Sequence, residues 1–479
     1  MSQVLYYQWF INLGNLEIGG FLPSDAKFGI ALILRLALSS EEGKANLIPN
    51  GDFQGGIVNG LPQGWSANAP RASLAPVFRL EEENNRRLLY ASGEGNPDCV
   101  GWVSTRIMIE PGRTYWFRAH FRISSTLNPL QHLLFQVVTD KGSQGIAEFH
   151  RLPDNWALGE GRICFQGQGT IPAEARIIFR LCAEGKLWIQ SVSLTETTPV
   201  PPRWVRVACT QGPGSLEEYG LKAFGKALDA AGEGKADLAL LPEYFSGEGT
   251  TETLTGLSAQ LMSEKARQYR MYVAGTIGRY DPQTDRLYNS ALLFDRQGNL
   301  MGWYDKVHLY GPEMHSSGVT PGAQVPVFDT DFGKIGFMTC YDSWFTDVAE
   351  LAALKGADIL LFPNLGYDRG LMHTRALDNQ INVVTSSRSG GYGVWDAMGR
   401  DIVNISSEKK PDSFFKDVAQ VQVANMGMLM VTLDLNAPRD QEMNGGSRMP
   451  VPRSKRHLAN QRFFLGKEIE REKERWWVE

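Results

Sequence analysis

Residues 333–342 are Gly-Lys-Ile-Gly-Phe-Met-Thr-Cys-Tyr-Asp, and they are the most informative segment of the sequence. They predict a short apolar strand that ends at Cys340. Apolar residues then recur at helical spacing, at Phe345, Val348, Leu351 and Ala352, so a helix should follow. Cys340 would sit at a sharp strand-to-helix turn. The partial positive charge of a helix N-terminus at that point favours a thiolate.

A second apolar run, residues 359–363, follows a Gly-Ala-Asp break and completes a strand–nucleophile–helix–strand unit. Such a unit needs a base and an oxyanion stabiliser from elsewhere in the chain. The apolar run at 236–243 ends in Glu243, and residues 303–309 carry Lys306. A carboxylate, an ammonium and a thiol that each come at or just after the end of a separate strand can converge on one edge of a sheet.

Three segments resemble the carbon–nitrogen hydrolase (nitrilase) superfamily in sequence, order and spacing. They are Leu-Pro-Glu at 241–243, Tyr-Asp-Lys-Val-His-Leu at 304–309 and Thr-Cys-Tyr-Asp at 339–342. The resemblance runs from about Trp204 to the mid-430s and implies a four-layer α-β-β-α sandwich. Tyr341 and Asp342 resemble the amidase-like branch, since nitrilases proper more often carry Trp-Glu after the cysteine.

A thiol, a carboxylate and an ammonium suit thioester chemistry on an amide or nitrile carbon. Cys340 is the candidate nucleophile and Glu243 the candidate general base. Lys306, with the backbone N–H of Tyr341, would stabilise the charged tetrahedral species. The resemblance implies Glu313 as a second glutamate that positions the lysine and the substrate.

These residues predict a thiol-dependent amidase that cleaves a non-peptide C–N bond of a small amide or nitrile without a metal or organic cofactor. Two alternatives stay open: a catalytically inert carbohydrate-binding protein, and an acyltransferase that uses the same thioester. Superfamily members that act on N-carbamoyl amino acids use an arginine after the cysteine, where this chain has Ser343 and Trp344. Arg388 or Arg369 could substitute for it.

Composition excludes several other classes. The net charge of -5 gives no reason to propose nucleic acid or an anionic membrane as a partner. The 5 cysteines lack CxxC spacing, which argues against a zinc site or a dense disulfide framework. Cys209 is expected to be a core residue on a strand, and His308 is expected to pack or to form hydrogen bonds. Members of the superfamily commonly pair, so we expect a homodimer or larger.

Residues 45–197 predict a separate all-β domain, because short β-type runs alternate with Gly, Pro and Asn. Its opening residues 46–53 and closing strand resemble galactose-binding-like jelly rolls of carbohydrate-binding modules, which implies a glycan as a further partner. Four tryptophans either form a sugar-stacking platform or, as we favour, belong to the core: Trp65, Trp102, Trp116 and Trp156. The fold class is thus a jelly-roll sandwich followed by an α/β four-layer sandwich.

The remaining segments set the domain boundaries. A proline-rich linker at 198–203 precedes the hydrolase-like domain at 204–440, in which Ser215 and Glu218 predict a helix-capping box. Residues 1–44 form either an extension or, if residues 27–40 are a signal segment, a secretion signal. We favour the extension and a cytoplasmic location. The tail at 441–479 either docks on a partner subunit or forms a frayed surface helix.

Overall fold

A computed structural model describes residues 10–12, 17–19, 45–140, 142–146, 148–165, 167–212, 220–247, 249–404, 415–437, 440–443 and 447–450. The chain divides into two compact units between Thr198 and Pro199, and each unit is described by itself. Most of the predicted extension and tail, including the candidate signal segment at 27–40, lies outside the described residues. The predicted capping box at Ser215 and Glu218 lies outside them as well.

The first unit is rich in β-structure. Its elements are β1 (Phe10–Asn12), β2 (Glu17–Gly19), β3 (Ile57–Val58), β4 (Leu61–Pro62), β5 (Trp65–Asn68), β6 (Val77–Glu83), β7 (Arg86–Ser92), β8 (Val100–Ile109), β9 (Thr114–Ile123), α1 (Pro129–His132), β10 (Leu133–Thr139), β11 (Gly142–Gly145), β12 (Glu148–Arg151), β13 (Trp156–Ile163), β14 (Ile171–Arg180) and β15 (Lys186–Thr197). Among the described residues, one sheet has the order β11-β10-β14-β8-β5 and a second has the order β12-β13-β9-β15-β7-β6.

Strand β9 shows why these residues form a two-sided sheet. Buried and half-buried side chains alternate along it, as the period of 2 in a strand requires. On its buried side, the Phe121 ring lies 5.3 Å from the ring of Phe135 in the other sheet and 5.9 Å from that of Phe149. The two antiparallel sheets therefore meet at an aromatic core. The resemblance to carbohydrate-binding jelly rolls stays a prediction.

The four tryptophans fall into two groups. Trp65 is 7% exposed and its ring packs edge-on against Phe53, so the core prediction is confirmed for it. The other three are half-buried on strands, and each has a guanidinium group over its ring: Arg176 over Trp102, Arg118 over Trp116 and Arg122 over Trp156. The prediction that they belong to the core is wrong for these three, which are half-buried with arginines over their rings.

The second unit alternates strands and helices. Its elements are β16 (Trp204–Thr210), α2 (Leu221–Glu233), β17 (Leu238–Leu240), β18 (Thr251–Glu252), α3 (Leu257–Tyr269), β19 (Tyr272–Asp281), β20 (Arg286–Phe294), β21 (Leu300–Asp305), α4 (Gly311–His315), β22 (Val327–Asp329), β23 (Lys334–Phe337), a 3₁₀ helix (Cys340–Trp344), α5 (Asp347–Leu354), β24 (Ile359–Asn364), α6 (Arg369–Asn379), β25 (Asn382–Ser387), β26 (Gly393–Trp395), β27 (Phe415–Val423), β28 (Met426–Asp434), β29 (Asp440–Met443) and β30 (Ser447–Pro450).

Two sheets organise the described part of this unit. The larger has the order β21-β20-β19-β17-β16-β28-β27, with β18 beside β19, and the smaller has the order β22-β23-β24-β25-β26. On β16, Val207 and Cys209 face a core shared with the smaller sheet and with α5 and α6. Ala208, between them, faces a core shared with α2 and α3. This arrangement is consistent with the α-β-β-α layers that the resemblance implies, and it confirms Cys209 as a core residue.

No helix in the described ranges has the length and apolarity that crossing a membrane would require.

The aromatic contact between the sheets of the first unit should dominate its stability. Replacing Phe121, which is 0% exposed, by alanine should lower the free energy of unfolding by about 3 to 5 kcal/mol, because a buried ring is lost and a cavity remains. The urea dependence of hydrogen exchange in β9 peptides measures this change. Met108→Ala, at a side chain that is 53% exposed, is the control and should change the value by less than about 0.5 kcal/mol. Equal effects would contradict the packing described.

Candidate active site

Four predicted site residues line one cavity of about 420 Å³ in the second unit: Glu243, Lys306, Glu313 and Cys340. Glu243 lies shortly after the end of β17, Lys306 directly follows β21, and Cys340 begins the 3₁₀ helix that comes after β23. β17 and β21 belong to the larger sheet and β23 to the smaller one. The cavity thus brings together a carboxylate, an ammonium and a thiol that both sheets supply.

The Lys306 ammonium lies between two carboxylates. Its Nζ donates a hydrogen bond to Glu243 Oε1 at 3.0 Å and another to Glu313 Oε2 at 2.7 Å. Lys306 and Glu243 are each 1% exposed, and the Glu313 side chain is 13% exposed. Burial lowers the pKa of Lys306, but the negative charges of Glu243 and Glu313 outweigh it and raise the pKa, so the ammonium is charged at neutral pH.

Two further side chains hold these carboxylates in place. Asn289 on β20 is 0% exposed, and its Nδ2 donates to Glu243 Oε1 at 2.7 Å and to Glu313 Oε1 at 2.8 Å. The Tyr244 hydroxyl donates to Glu313 Oε1 at 3.1 Å. The sequence prediction missed both residues. The available signal for Asn289 was its position just before the strand-forming run at 290–294. A buried amide at such a position needs hydrogen-bond partners.

The backbone is unusual at two of the residues that line the cavity. Cys340 has a φ of 44° and Tyr244, directly after Glu243, has a φ of 49°. Side chains other than glycine rarely adopt this left-handed region, which costs on the order of 1–3 kcal/mol and is concentrated at functional sites. The sharp turn predicted at Cys340 is therefore present.

The helix-terminus effect expected to favour a thiolate does not determine the protonation of Cys340. Burial raises the pKa of its thiol to about 12, the Glu243 carboxylate adds to this rise, and the Lys306 ammonium opposes it. The 3₁₀ helix that begins at Cys340 has only 5 residues, so its dipole is small compared with these effects. At neutral pH the thiol therefore keeps its proton.

Asp342 ties the cysteine turn to the lysine segment. It is 0% exposed, and its Oδ2 accepts hydrogen bonds from the Tyr304 hydroxyl at 2.6 Å and from the Thr339 N–H at 2.9 Å. Its Oδ1 accepts from the His308 N–H at 2.7 Å. Burial raises the pKa of Asp342 to about 6, partly offset by these hydrogen bonds. One carboxylate therefore fixes the backbone on both sides of the site.

Other predicted residues lie around this centre. His308 packs and forms hydrogen bonds as predicted: its ring stacks on Phe345 at 4.0 Å, and its Nε2 lies 2.9 Å from Asp347 Oδ1. The half-buried Tyr341 ring contacts Tyr310 and Phe345 edge-on.

Neither arginine proposed to hold a substrate carboxylate is among the described residues that line the cavity. Arg369 instead forms an ion pair with Asp401 at 2.6 Å and lies over the Trp395 ring. Arg388 lies after β25 and its backbone N–H donates to the Asn364 carbonyl.

Within the described ranges, one group of side chains has donor atoms close enough together to share a metal ion. It consists of Glu148, His150 and Glu160, in the first unit. His150 Nε2 already lies 3.1 Å from Glu160 Oε1.

Comparison with known proteins matches residues 206–437 to the family described as carbon-nitrogen hydrolase. The chain is 32% identical over 193 residues to the omega-amidase NIT3 of Saccharomyces cerevisiae, covering 35% of this chain and 66% of that protein. It is 32% identical over 197 residues to the omega-amidase NIT2-A of Xenopus laevis, covering 36% of this chain and 70% of that protein. These matches confirm the predicted carbon–nitrogen hydrolase domain.

The chain is also similar to a bacterial protein and to a solved structure. The chain is 30% identical over 241 residues to the probable hydrolase YhcX of Bacillus subtilis, covering 46% of this chain and 47% of that protein. The crystal structure of Saccharomyces cerevisiae Nit3 aligns with a TM-score of 0.40 at 24% identity, over 49% of this chain and 91% of that chain.

Asn289 should contribute more to stability than an exposed asparagine that also binds a carboxylate. Asn289→Leu removes the donor to two buried carboxylates and should lower the free energy of unfolding at neutral pH by about 1.5 to 3 kcal/mol. Its loss raises the pKa of Glu313, whose folded-state value lies below the ordinary one, so the deficit should shrink as the pH falls through the carboxylate range.

Denaturation with urea at several pH values measures this deficit. Asn404→Leu is the matched control, because Asn404 Nδ2 donates to Asp401 Oδ2 at 2.8 Å on the surface. The control should lose less than about 1 kcal/mol. A deficit for Asn289→Leu that is as small as the control's, or that grows at low pH, would contradict the role of Asn289.

Proposed function

The chain belongs to the carbon–nitrogen hydrolase family, and on that premise we propose that it hydrolyses the C–N bond of a small non-peptide amide through a thioester on Cys340. The observation that carries this proposal is that the Cys340 thiol, the Glu243 carboxylate and the Lys306 ammonium line one cavity, in which Lys306 donates to Glu243 at 3.0 Å. A nucleophile, a base and a positive charge are thus close to one another.

Acylation begins when Glu243 takes the thiol proton and the Cys340 sulfur attacks the amide carbon. The carbonyl oxygen then carries negative charge, which Lys306 Nζ and the backbone N–H of Tyr341 stabilise. That N–H lies in the first turn of the 3₁₀ helix, where backbone donors lack partners within the helix. The C–N bond breaks, the nitrogen takes the proton from Glu243, and the amine or ammonia leaves.

Deacylation uses the same groups in turn. Glu243 removes a proton from a water molecule, which attacks the thioester carbon, and Lys306 again stabilises the charged oxygen. The C–S bond breaks, the sulfur regains the proton from Glu243, and the carboxylic acid leaves. Because the thiol has a pKa of about 12, each cycle depends on Glu243 as a proton acceptor.

Glu313 and Asn289 serve as positioning residues in this proposal. Glu313 is the second acceptor for the Lys306 ammonium, and Asn289 donates hydrogen bonds to both carboxylates. Glu243 is thereby kept in reach of the thiol while Lys306 remains charged.

The two alternatives are less well supported. The function of an inert carbohydrate-binding protein does not require an ammonium, a carboxylate and a thiol that line one cavity. An acyltransferase would use the same thioester, so product analysis with and without an added amine separates the two: hydrolysis yields the acid in both cases, whereas transfer yields a new amide. The homo-oligomer, the glycan partner and the boundaries at 45–197 and 204–440 remain proposals, and light scattering at micromolar concentration tests the first.

Cys340 should carry the acyl group. Mass spectrometry after rapid quenching with an amide substrate should find the adduct on the peptide that contains Cys340. Cys340→Ala should abolish the adduct and lower turnover by about a thousandfold or more, because no other group replaces the nucleophile. Cys209→Ala, at a buried strand position, is the control and should still form the adduct. Normal turnover by Cys340→Ala would refute the mechanism.

Glu243→Gln should separate reactivity toward an alkylating agent from catalysis. The substitution removes a carboxylate that raises the pKa of Cys340, so the pKa should fall and the thiolate should form at lower pH, although turnover is lost. The pH dependence of Cys340 alkylation by iodoacetamide, measured on its peptide, reports this shift. Lys306→Met should shift the profile the opposite way, because the ammonium lowers the pKa. Shifts of the same sign in both variants would contradict the assignment.

A further inference from the structure

Lys306 lies at the end of a strand that has its neighbour on one side. Among the described strands, β21 pairs with β20 alone. Lys306 continues this pairing, because its N–H donates to the Asn289 carbonyl at 2.9 Å. The ladder is interrupted by a register shift between Leu293 and Phe294. Its far end therefore does not by itself determine which residue lies beside Asn289.

The position of the ammonium depends on this register. Successive side chains of a strand point to opposite faces, so a slip of one residue between β20 and β21 would turn Lys306 away from both glutamates. The two hydrogen bonds of its Nζ, at 3.0 Å to Glu243 and 2.7 Å to Glu313, belong to the observed register. A contact that fixes the register close to Lys306 therefore fixes the ammonium as well.

A buried ion pair lies at that point. Ser290 and Asp305 are register partners on β20 and β21, and they are the immediate neighbours of Asn289 and Lys306 in the chain. Arg279 on β19 binds both: its Nη2 lies 3.1 and 3.0 Å from the two oxygens of Asp305, and its Nε donates to Ser290 Oγ at 2.9 Å. The Ser290 hydroxyl also donates to Asp305. One closed set of hydrogen bonds thus joins three strands.

Aromatic rings hold the same guanidinium on its faces. Arg279 is 5% exposed, and its guanidinium lies 4.4 Å from the centroid of the Tyr288 ring and 5.1 Å from that of the Trp303 ring. Trp303 Nε1 also donates to Asp305 at 3.3 Å. A planar guanidinium that is bound at its edge and covered on its faces is held in one orientation. It can therefore keep the three strands in register.

We propose that Arg279 and Asp305 are positioning residues that hold the Lys306 ammonium at Glu243 by fixing the register of β21 against β20. The kinetic consequences of this inference rest on the proposed amidase function. Neither residue is among the described residues that line the cavity. A misplacement of about 1 Å in an active site can nonetheless lower a rate about a hundredfold, so a contact outside the cavity can control the reaction inside it.

The kinetics of two variants test the proposal. Arg279→Met removes the guanidinium, and Asp305→Asn removes the charge of its partner while keeping the shape. Each should lower kcat by about tenfold to a hundredfold, measured as ammonia release from the best substrate among acetamide, butanamide and hexanamide. KM should change by less than about threefold, because Lys306 acts on charge that develops in the transition state. The double variant should be about as slow as the slower single variant, since both substitutions break one contact.

The pH dependence of Cys340 alkylation by iodoacetamide tests the cause and needs no substrate. The Lys306 ammonium lowers the pKa of the Cys340 thiol, so its displacement should shift the profile toward higher pH. Arg279→Met removes a positive charge and Asp305→Asn a negative one, so their direct fields would shift the profile in opposite directions. We expect a shift toward higher pH in both variants, as in Lys306→Met. Shifts of opposite sign would overturn the proposal.

Arg296→Met is the matched control, because Arg296 forms a similar ion pair beyond the C-terminal end of β20. Its Nε and Nη2 lie 2.7 and 3.1 Å from the two oxygens of Asp331, and its guanidinium lies 5.2 Å from the centroid of the Tyr272 ring. The control should keep kcat within about twofold and should keep the alkylation profile, since its ion pair is not next to Lys306. An equal loss of kcat in Arg296→Met and Arg279→Met would overturn the proposal.

The two proposals fail in different ways. If the unmodified protein forms no Cys340 adduct and releases no ammonia from any amide tested, the amidase function is overturned, and the alkylation profiles still decide the role of Arg279. If both variants match the unmodified protein in kcat and alkylation, the amidase function stands and the positioning role is overturned. Where circular dichroism shows Arg279→Met to be unfolded, Arg279→Lys takes its place. Its point charge cannot reproduce the planar contact, so values equal to those of the unmodified protein would overturn the role.

Discussion

The rest of the site depends on one constraint, the burial of the Lys306 ammonium. An ammonium that is 1% exposed is stable only with acceptors that replace its water, because burying an unpaired charge costs several kcal/mol. Glu243 and Glu313 supply these acceptors, and Asn289 satisfies the same two carboxylates in turn. Strand ends far apart in sequence must therefore meet at one point, which fixes the geometry of the cavity.

The same charge arrangement determines the chemistry. Burial raises the pKa of the Cys340 thiol and the Glu243 carboxylate adds to this rise, so the thiol stays protonated and needs a base. The backbone at Cys340 has a φ of 44°, and Asp342 holds this turn by binding backbone and side-chain donors on both segments. Low thiol acidity thus follows from the packing of the site.

The first unit is held together by aromatic packing. Its sheets bury aromatic rings such as Phe121 between them, while tryptophans on the outer faces lie under arginines. A guanidinium over an indole face is stabilising, and it occupies the surface on which a sugar ring would stack. A glycan that bound at Trp116 or Trp156 would have to displace Arg118 or Arg122.

The sequence alone determined the positions of Glu243, Lys306 and Cys340 near strand ends, because apolar periodicity and breaks are local properties. Through the resemblance it also indicated Glu313. The tertiary structure was needed to show that Asn289 bridges the two carboxylates and that burial raises the pKa of the Cys340 thiol. Hydrogen bonds between distant strands and the loss of solvent on burial depend on the packed fold, and no local pattern encodes them.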